Sequence, residues 1–367
     1  MFIDQELKKR ALPDILTLNS KEKVTKENWE ERRKELVNCL SENLYGYTPA
    51  PPSEVRAVCT GIDRWRAFGG KAKAEWYDLS FDTPTGEFTF PIRVIIPTTV
   101  ENPPVILMLT FKSEFPLPEE EILDNGFAMV QMYYNNIVHD EVNPDDYYAN
   151  FTEAMAGKYI GDRTRTPTEW GKIGMWAFAA SRVMDYLQTR TDINRERIAI
   201  SGHSRLGKTA LWCRAQDDRF FAVMCNDSNY GGAGIIRGHV GEDVPSFMRL
   251  GSYDFFCERW KDFLNTPHSE LPFDMHFLLA ACAPGFIYVA GATKDTGMDP
   301  KSEFLSCCAA SEAYKLLGYK GLVCEDRYPE VEEPLQEGEI GFHIREGKHW
   351  FSRYDWQNFM NFFKRHM

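Results

Sequence analysis

Three kinds of hydrophobic spacing follow one another along the chain. Over residues 26–44, Trp29, Leu36, Val37, Leu40 and Leu44 keep to one helical face, and the pattern stops at Gly46, which predicts an amphipathic helix. The proline-rich stretch after it, "YTPAPPSEV", predicts a loop. From Tyr77 the period becomes two. Tyr77, Leu79 and Phe81 alternate with polar residues, "TPTG" turns the chain, and Phe88, Phe90, Ile92, Val94 and Ile96 alternate again, as in an antiparallel hairpin.

Beyond "ENPP" the apolar runs are continuous, as expected of parallel strands covered on both faces. They are "VILML" (105–109), "FAMVQMYY" (127–134), "RIAIS" (197–201), "FAVMC" (221–225) and "FIYVA" (286–290). Between the second and third, Ile173, Trp176, Ala180, Val183 and Leu187 form a helical stripe. Strands alternating with helices predict an α/β fold, a doubly wound and mostly parallel sheet between two helical layers. An N-terminal extension of helix plus hairpin (residues 1–100) is expected to pack on a core spanning residues 101–367.

Composition narrows the function. The chain has 367 residues, 43% of them apolar, enough for a large core. No apolar run approaches the roughly 20 residues that cross a bilayer, and "MFIDQELKKRALPDILTLNSKEK" lacks the continuous apolar segment of a secretory signal. A cytoplasmic protein without membrane contact is expected. A formal charge of -12 disfavours nucleic acid. Nine cysteines, an odd number, include no C-x-x-C, and the eight histidines show no zinc-like spacing, so neither a disulfide framework nor a metal is expected. No G-x-G-x-x-G follows the first core strand, which argues against a nicotinamide enzyme. No cofactor is predicted.

One junction carries chemistry. "IAISGHSRLGKTALW" (198–212) runs from a strand through Gly202 and Ser204 into a helix. A serine lodged on a strained strand-to-helix bend is the nucleophile of α/β-hydrolases, where the following backbone N–H faces the developing oxyanion. The match to G-x-S-x-G is partial, because the second glycine stands at 207 and position 206 is Leu. In this fold the chain order is Ser, then Asp or Glu, then His. His349, in "REGKHW" near the C-terminus, satisfies that order. His343 and His203 are expected to be structural, with the His203 side chain turned away from the serine oxygen.

The segment Gly202-His203-Ser204-Arg205-Leu206-Gly207-Lys208 resembles the G-x-S-R-x-G-K motif of the glucuronoyl esterases, carbohydrate esterase family 15, particularly the bacterial branch. "EWGKIGMWAFAASRVMDYL", "RFFAVMCNDSNYGGAG", "LPFDMHFLLAACAP", "KDTGMDPKSEF" and "GFHIREGKHWFSRYDW" follow the family's order, so the resemblance covers roughly residues 100 to 367. It implies that Arg205 helps hold the oxyanion and that His349 is the base. It also implies that Lys208 and, on a weaker alignment, Glu242 contact the sugar. The acid is Asp295 or Asp227. Asp295 is favoured because it follows "FIYVA", whereas Asp227 stands where other members carry a glutamate. A tryptophan that stacks on the sugar in typical members is Gly297 here.

These readings predict a serine carboxylic ester hydrolase that passes through an acyl-enzyme and acts on a small-molecule or oligosaccharide ester. Glucuronate esters and acetylated sugars both remain open. The alternative is a binding protein that kept the fold without the chemistry. The second oxyanion donor is expected from the loop "TFKSEF", around Thr110 or Phe111.

Overall fold

The computed structural model describes residues 2–112, 117–140, 151, 154–249 and 254–367. Nine strands form one sheet: β1 (Arg56–Asp63), β2 (Ala72–Thr83), β3 (Gly86–Pro97), β4 (Val105–Thr110), β5 (Ala128–Tyr133), β6 (Ile198–His203), β7 (Ala222–Asn226), β8 (Phe286–Ala292) and β9 (Ile340–Arg345). The helices are α1 (Phe2–Arg10), α2 (Trp29–Leu40), α3 (Glu119–Asp124), α4 (Ala154–Ile160), α5 (Lys172–Leu187), α6 (Arg205–Gln216), α7 (Val244–Arg249), α8 (His276–Ala281), α9 (Pro300–Leu317) and α10 (Arg353–His366).

The strand order is β1-β2-β3-β5-β4-β6-β7-β8-β9. From β5 to β9 every pairing is parallel, while β1, β2 and β3 add antiparallel strands at one margin. Residues along β4 alternate between two cores, as the two-residue period of a strand requires. Val105, Leu107 and Leu109 pack with α5, α6, α8 and α9, and Ile106 and Met108 with α3 and α10. Both faces are therefore covered, giving the three-layer α/β-hydrolase sandwich.

The hairpin is part of this sheet, since β3 pairs with β5 from Ile92↔Met132 to Ile95↔Met129. Leu18, Trp29, Leu36 and Leu40 of the N-terminal region lie in the same apolar core as β4 and α5. Residues 1–100 thus share the core as well as covering it. Two strands go beyond the sequence expectations. β1 has mostly exposed side chains and a bulge between Cys59 and Gly61. β9 is wholly buried although it carries His343 and Arg345, because both polar heads reach Asp355 at the start of α10.

The chain leaves β4 toward β5 on one side and returns to β6 on the other. Sheets of this kind bind ligands at such a reversal, outside the carboxyl ends of the strands. The carboxyl end of β4 and the bend after β6 flank that crevice.

Candidate active site

Ser204 terminates β6 and caps α6 with φ 57 and ψ -126, a left-handed backbone that a non-glycine residue rarely adopts. Its N–H donates to Asn226 O at 2.8 Å. The two glycines make the bend possible by close approach. A Cβ on Gly202 would lie 2.1 Å from Leu206 O, and one on Gly207 would press on Asn226 O and Cys225 Sγ at 3.2 Å. The glycine at 207 therefore serves the contact between α6 and β7. With Ser204 held at the head of α6, the first N–H groups of the helix have no carbonyl one turn back to accept them.

His349 stands on the turn between β9 and α10, and its Nδ1 meets Asp295 Oδ2 at 2.5 Å. Asp295 lies just after β8, on a turn laced to the histidine turn by Thr293 N to Arg345 O (2.9 Å) and Lys294 N to Gly347 O (2.8 Å). With Nδ1 committed to the carboxylate, Nε2 is the nitrogen left for a proton from the crevice. No hydrogen bond joins Ser204 Oγ to His349 here; such contacts often tighten only when substrate is bound.

His203, the residue before the serine, packs its ring 4.3 Å from that of His349. Its Nδ1 donates to Asn226 Oδ1 at 2.6 Å. Burial, and then the neighbouring His349, lower its pKa to about 3, so it is a neutral wall against which the exposed imidazole rests.

Asp227 is fully buried at the end of β7, with φ 47. It does not bond His349. Its carboxyl lies 3.9 Å from His203 Nδ1 and 3.5 Å from Arg345, and neither oxygen has a hydrogen-bond partner. Burial first, then the carboxyls of Glu303 and Asp295, push its pKa up to about 9, against the pull of Arg345. Glu303 is itself raised to about 7 by burial, and its Oε1 accepts the N–H groups of Ser228 (2.9 Å) and Asn229 (3.0 Å). That contact pins the turn after Asp227.

Arg205 reaches back from the first turn of α6 to Asp140, with its guanidinium 4.9 Å from the centre of the Phe255 ring. Asp140 is shared with buried Lys172 at 3.3 Å, and Lys172 also meets Asp254 at 2.6 Å. Burial raises Asp254 to about 6, with Lys172 opposing. The guanidinium is thus braced by an ion chain, while its side chain stays about one-third exposed (34%). Thr110 is buried at the end of β4, and Phe111 sets its ring edge-on to His203. Ser113, Glu114 and Phe115 of the same loop lie outside the described residues.

Lys208, one helical turn beyond the serine, is buried rather than solvated. Its ammonium donates to Glu242 Oε2 at 2.9 Å and to Ser228 O, and lies 5.5 Å from the Phe247 ring centre. Gly297 O accepts from Asn229 Nδ2 (3.0 Å) and Glu242 N (3.1 Å). A Cβ on Gly297 itself would meet nothing within 4 Å, so the space beside it is open.

The structure therefore gathers Ser204, Arg205, Asp227, Asp295 and His349 at the carboxyl end of the sheet, and joins Lys208 to Glu242 beside them. Asp140, Lys172, Asn226 and Arg345 also serve this region, and no sequence motif singled them out. They act across long gaps, such as the 65 residues from Asp140 to Arg205, which no local spacing reveals. Donor atoms of His203, Asp227 and His349 lie within 4.8 Å of one another, a spacing that could admit a metal ion. Each ring's Nδ1 is already held by a protein oxygen.

A serine on a strained strand-to-helix bend, with an imidazole-carboxylate pair at the neighbouring strand ends, defines a serine-type carboxylic ester hydrolase of the α/β-hydrolase fold. Residues 82–318 match the family model described as fungal glucuronyl esterase, and the chain belongs to the glucuronoyl esterase family. A carbohydrate esterase, MZ0003, from an unknown prokaryotic organism is 30% identical over 100% of this chain and 92% of its own length. A solved glucuronoyl esterase from Solibacter usitatus superposes with a TM-score of 0.85 at 29% identity, covering 96% of this chain and 97% of that one. The 4-O-methyl-glucuronoyl methylesterase of Schizophyllum commune is 25% identical over 84% of this chain and 74% of its own.

Proposed function

We propose that this enzyme hydrolyses esters of a glucuronic-acid-type sugar, with the uronate as the acyl group. Ser204 Oγ attacks the ester carbonyl while His349 Nε2 takes its proton, with Asp295 orienting the ring and stabilising the imidazolium. Arg205 and its own N–H hold the charge on the carbonyl oxygen. Collapse expels the alcohol, which leaves with the proton from His349. Water activated by the same nitrogen then releases the uronic acid and restores Ser204.

The observation that carries the substrate class is the buried Lys208–Glu242 pair one turn from the serine. Burying a lysine is costly unless its charge is used, and a cation beside a carboxylate suits the hydroxyls of a sugar. The similarity to fungal 4-O-methyl-glucuronoyl methylesterases supports the same reading. Ser204→Ala should lower hydrolysis of benzyl glucuronate and p-nitrophenyl acetate by about 10⁴-fold or more, with an unchanged melting temperature. A panel of glucuronate esters and acetylated sugars tests the specificity. Faster turnover of acetylated sugars than of glucuronate esters would overturn the uronate reading, because the pocket would then recognise the alcohol side of the ester.

A further inference from the structure

Arg345 ends β9 four residues before His349, and its side chain is buried although charged. Its Nε donates to Asp355 Oδ2 at 2.7 Å. Its two terminal nitrogens donate to the main-chain carbonyls of Glu346 (3.4 Å), Lys348 (3.2 Å) and Trp350. Three carbonyls at alternate positions of one turn thus converge on a single guanidinium. Lys348 and Trp350 are the two neighbours of His349, so the peptide that enters the histidine and the one that leaves Trp350 are both tied down, bracketing His349 while its ring is left to face Asp295.

The anchor is itself rigid. Asp355 Oδ1 meets His343 Nε2 at 2.8 Å, and Asp355 closes a capping box with Ser352 at the start of α10. Burial raises the Asp355 carboxyl, but His343 and Arg345 more than offset this and hold it below its usual range. The planar fork of arginine suits this task, since a lysine offers one point of attachment and cannot span three carbonyls.

We propose that Arg345 is the positioning residue of the base: by gathering the carbonyls of Glu346, Lys348 and Trp350 around an Asp355 anchor, it fixes the turn from which His349 meets Asp295. The proposal rests on the reading of His349 as the base. A reacting group displaced by an ångström costs about 10²-fold in rate, because orientation is lost while binding is kept.

Arg345→Lys and Arg345→Met should each lower kcat on a glucuronate ester by about 10-fold or more and leave KM within about twofold. In histidine-labelled protein, the low-field proton of the His349 Nδ1–Asp295 bond should weaken or vanish in both variants. Gly347→Ala supplies an independent perturbation on an exposed turn, because its new Cβ would meet Arg345 Nη1 at 2.6 Å. It should give the same kcat loss and the same spectral change, and it decides the matter if neither Arg345 variant folds. A folded variant with wild-type kcat and an intact low-field proton would overturn the proposal. Wild type without esterase activity would overturn the functional reading instead, and the proton signal would still decide the role of Arg345.

Discussion

The carboxyls of Asp227 and Asp295 are close enough to repel each other, yet they sit in opposite settings. Asp295 gives its oxygen to an imidazole, whereas Asp227 has no hydrogen bond to either oxygen, with Arg345 at 3.5 Å, and is kept neutral by burial. Asp295→Asn should lower kcat by on the order of 10³ to 10⁴, because an amide cannot hold the ring in its reactive tautomer. Asp227→Asn should cost far less, and equal losses in steady-state assays would refute the distinction. The pH dependence follows from the same contrast. In the fold Asp227 releases its proton near pH 9, and in the unfolded chain near 3.9. Between those values the folded state holds the extra proton, so stability falls as pH rises from about 4 to about 9. Asp227→Asn removes that titration. Its melting temperature by calorimetry should gain on wild type progressively from about pH 5 to about pH 9, and a constant offset would mean that Asp227 is ionised in the fold.

At the scale of elements, the bend between β6 and α6 stands on two glycines with unequal tasks. Gly202→Ala drives a Cβ to 2.1 Å from a backbone oxygen that cannot retreat without breaking α6, and should destabilise by about 3 kcal/mol or more in urea unfolding. Gly207→Ala meets its neighbours at 3.2 Å and should cost about 1 to 2 kcal/mol. Equal costs would mean that the bend does not depend on close approach at 202. The bend was legible in the sequence because strand, glycine, serine and helix are contiguous, and the parallel strands were legible because burial on both faces makes them continuously apolar. β9 was not, since His343 and Arg345 interrupt its apolar pattern and share a partner, Asp355, that lies ten or more residues further on. β1 was not, because its side chains are mostly solvated and its pairing comes from β2. The same distance effect left the acid undecided between two strand ends and hid Asp140 and Arg345.

For the whole molecule, the shared core has a consequence for cooperativity. Leu36 is fully buried in the apolar cluster that also holds β4 and α5. Leu36→Ala should destabilise by about 2 to 5 kcal/mol and lower one common transition, with near-ultraviolet dichroism and esterase activity lost together on heating. Two separate transitions would show that the N-terminal hundred residues melt as a unit of their own.

The two margins of the sheet are finished differently. Along β9, bridges from Leu322 to Ile340 and from Leu335 to Phe342 occupy the outer backbone groups. Along β1, among the described residues, no such bridge is laid down, and Val58 and Ile62 stand in solvent. The bulge between Cys59 and Gly61 breaks the even row of donors and acceptors that a second molecule would need for strand-to-strand polymerisation. A straight edge there would offer a more regular row of backbone groups to an approaching strand, so the irregularity works against edge-to-edge association.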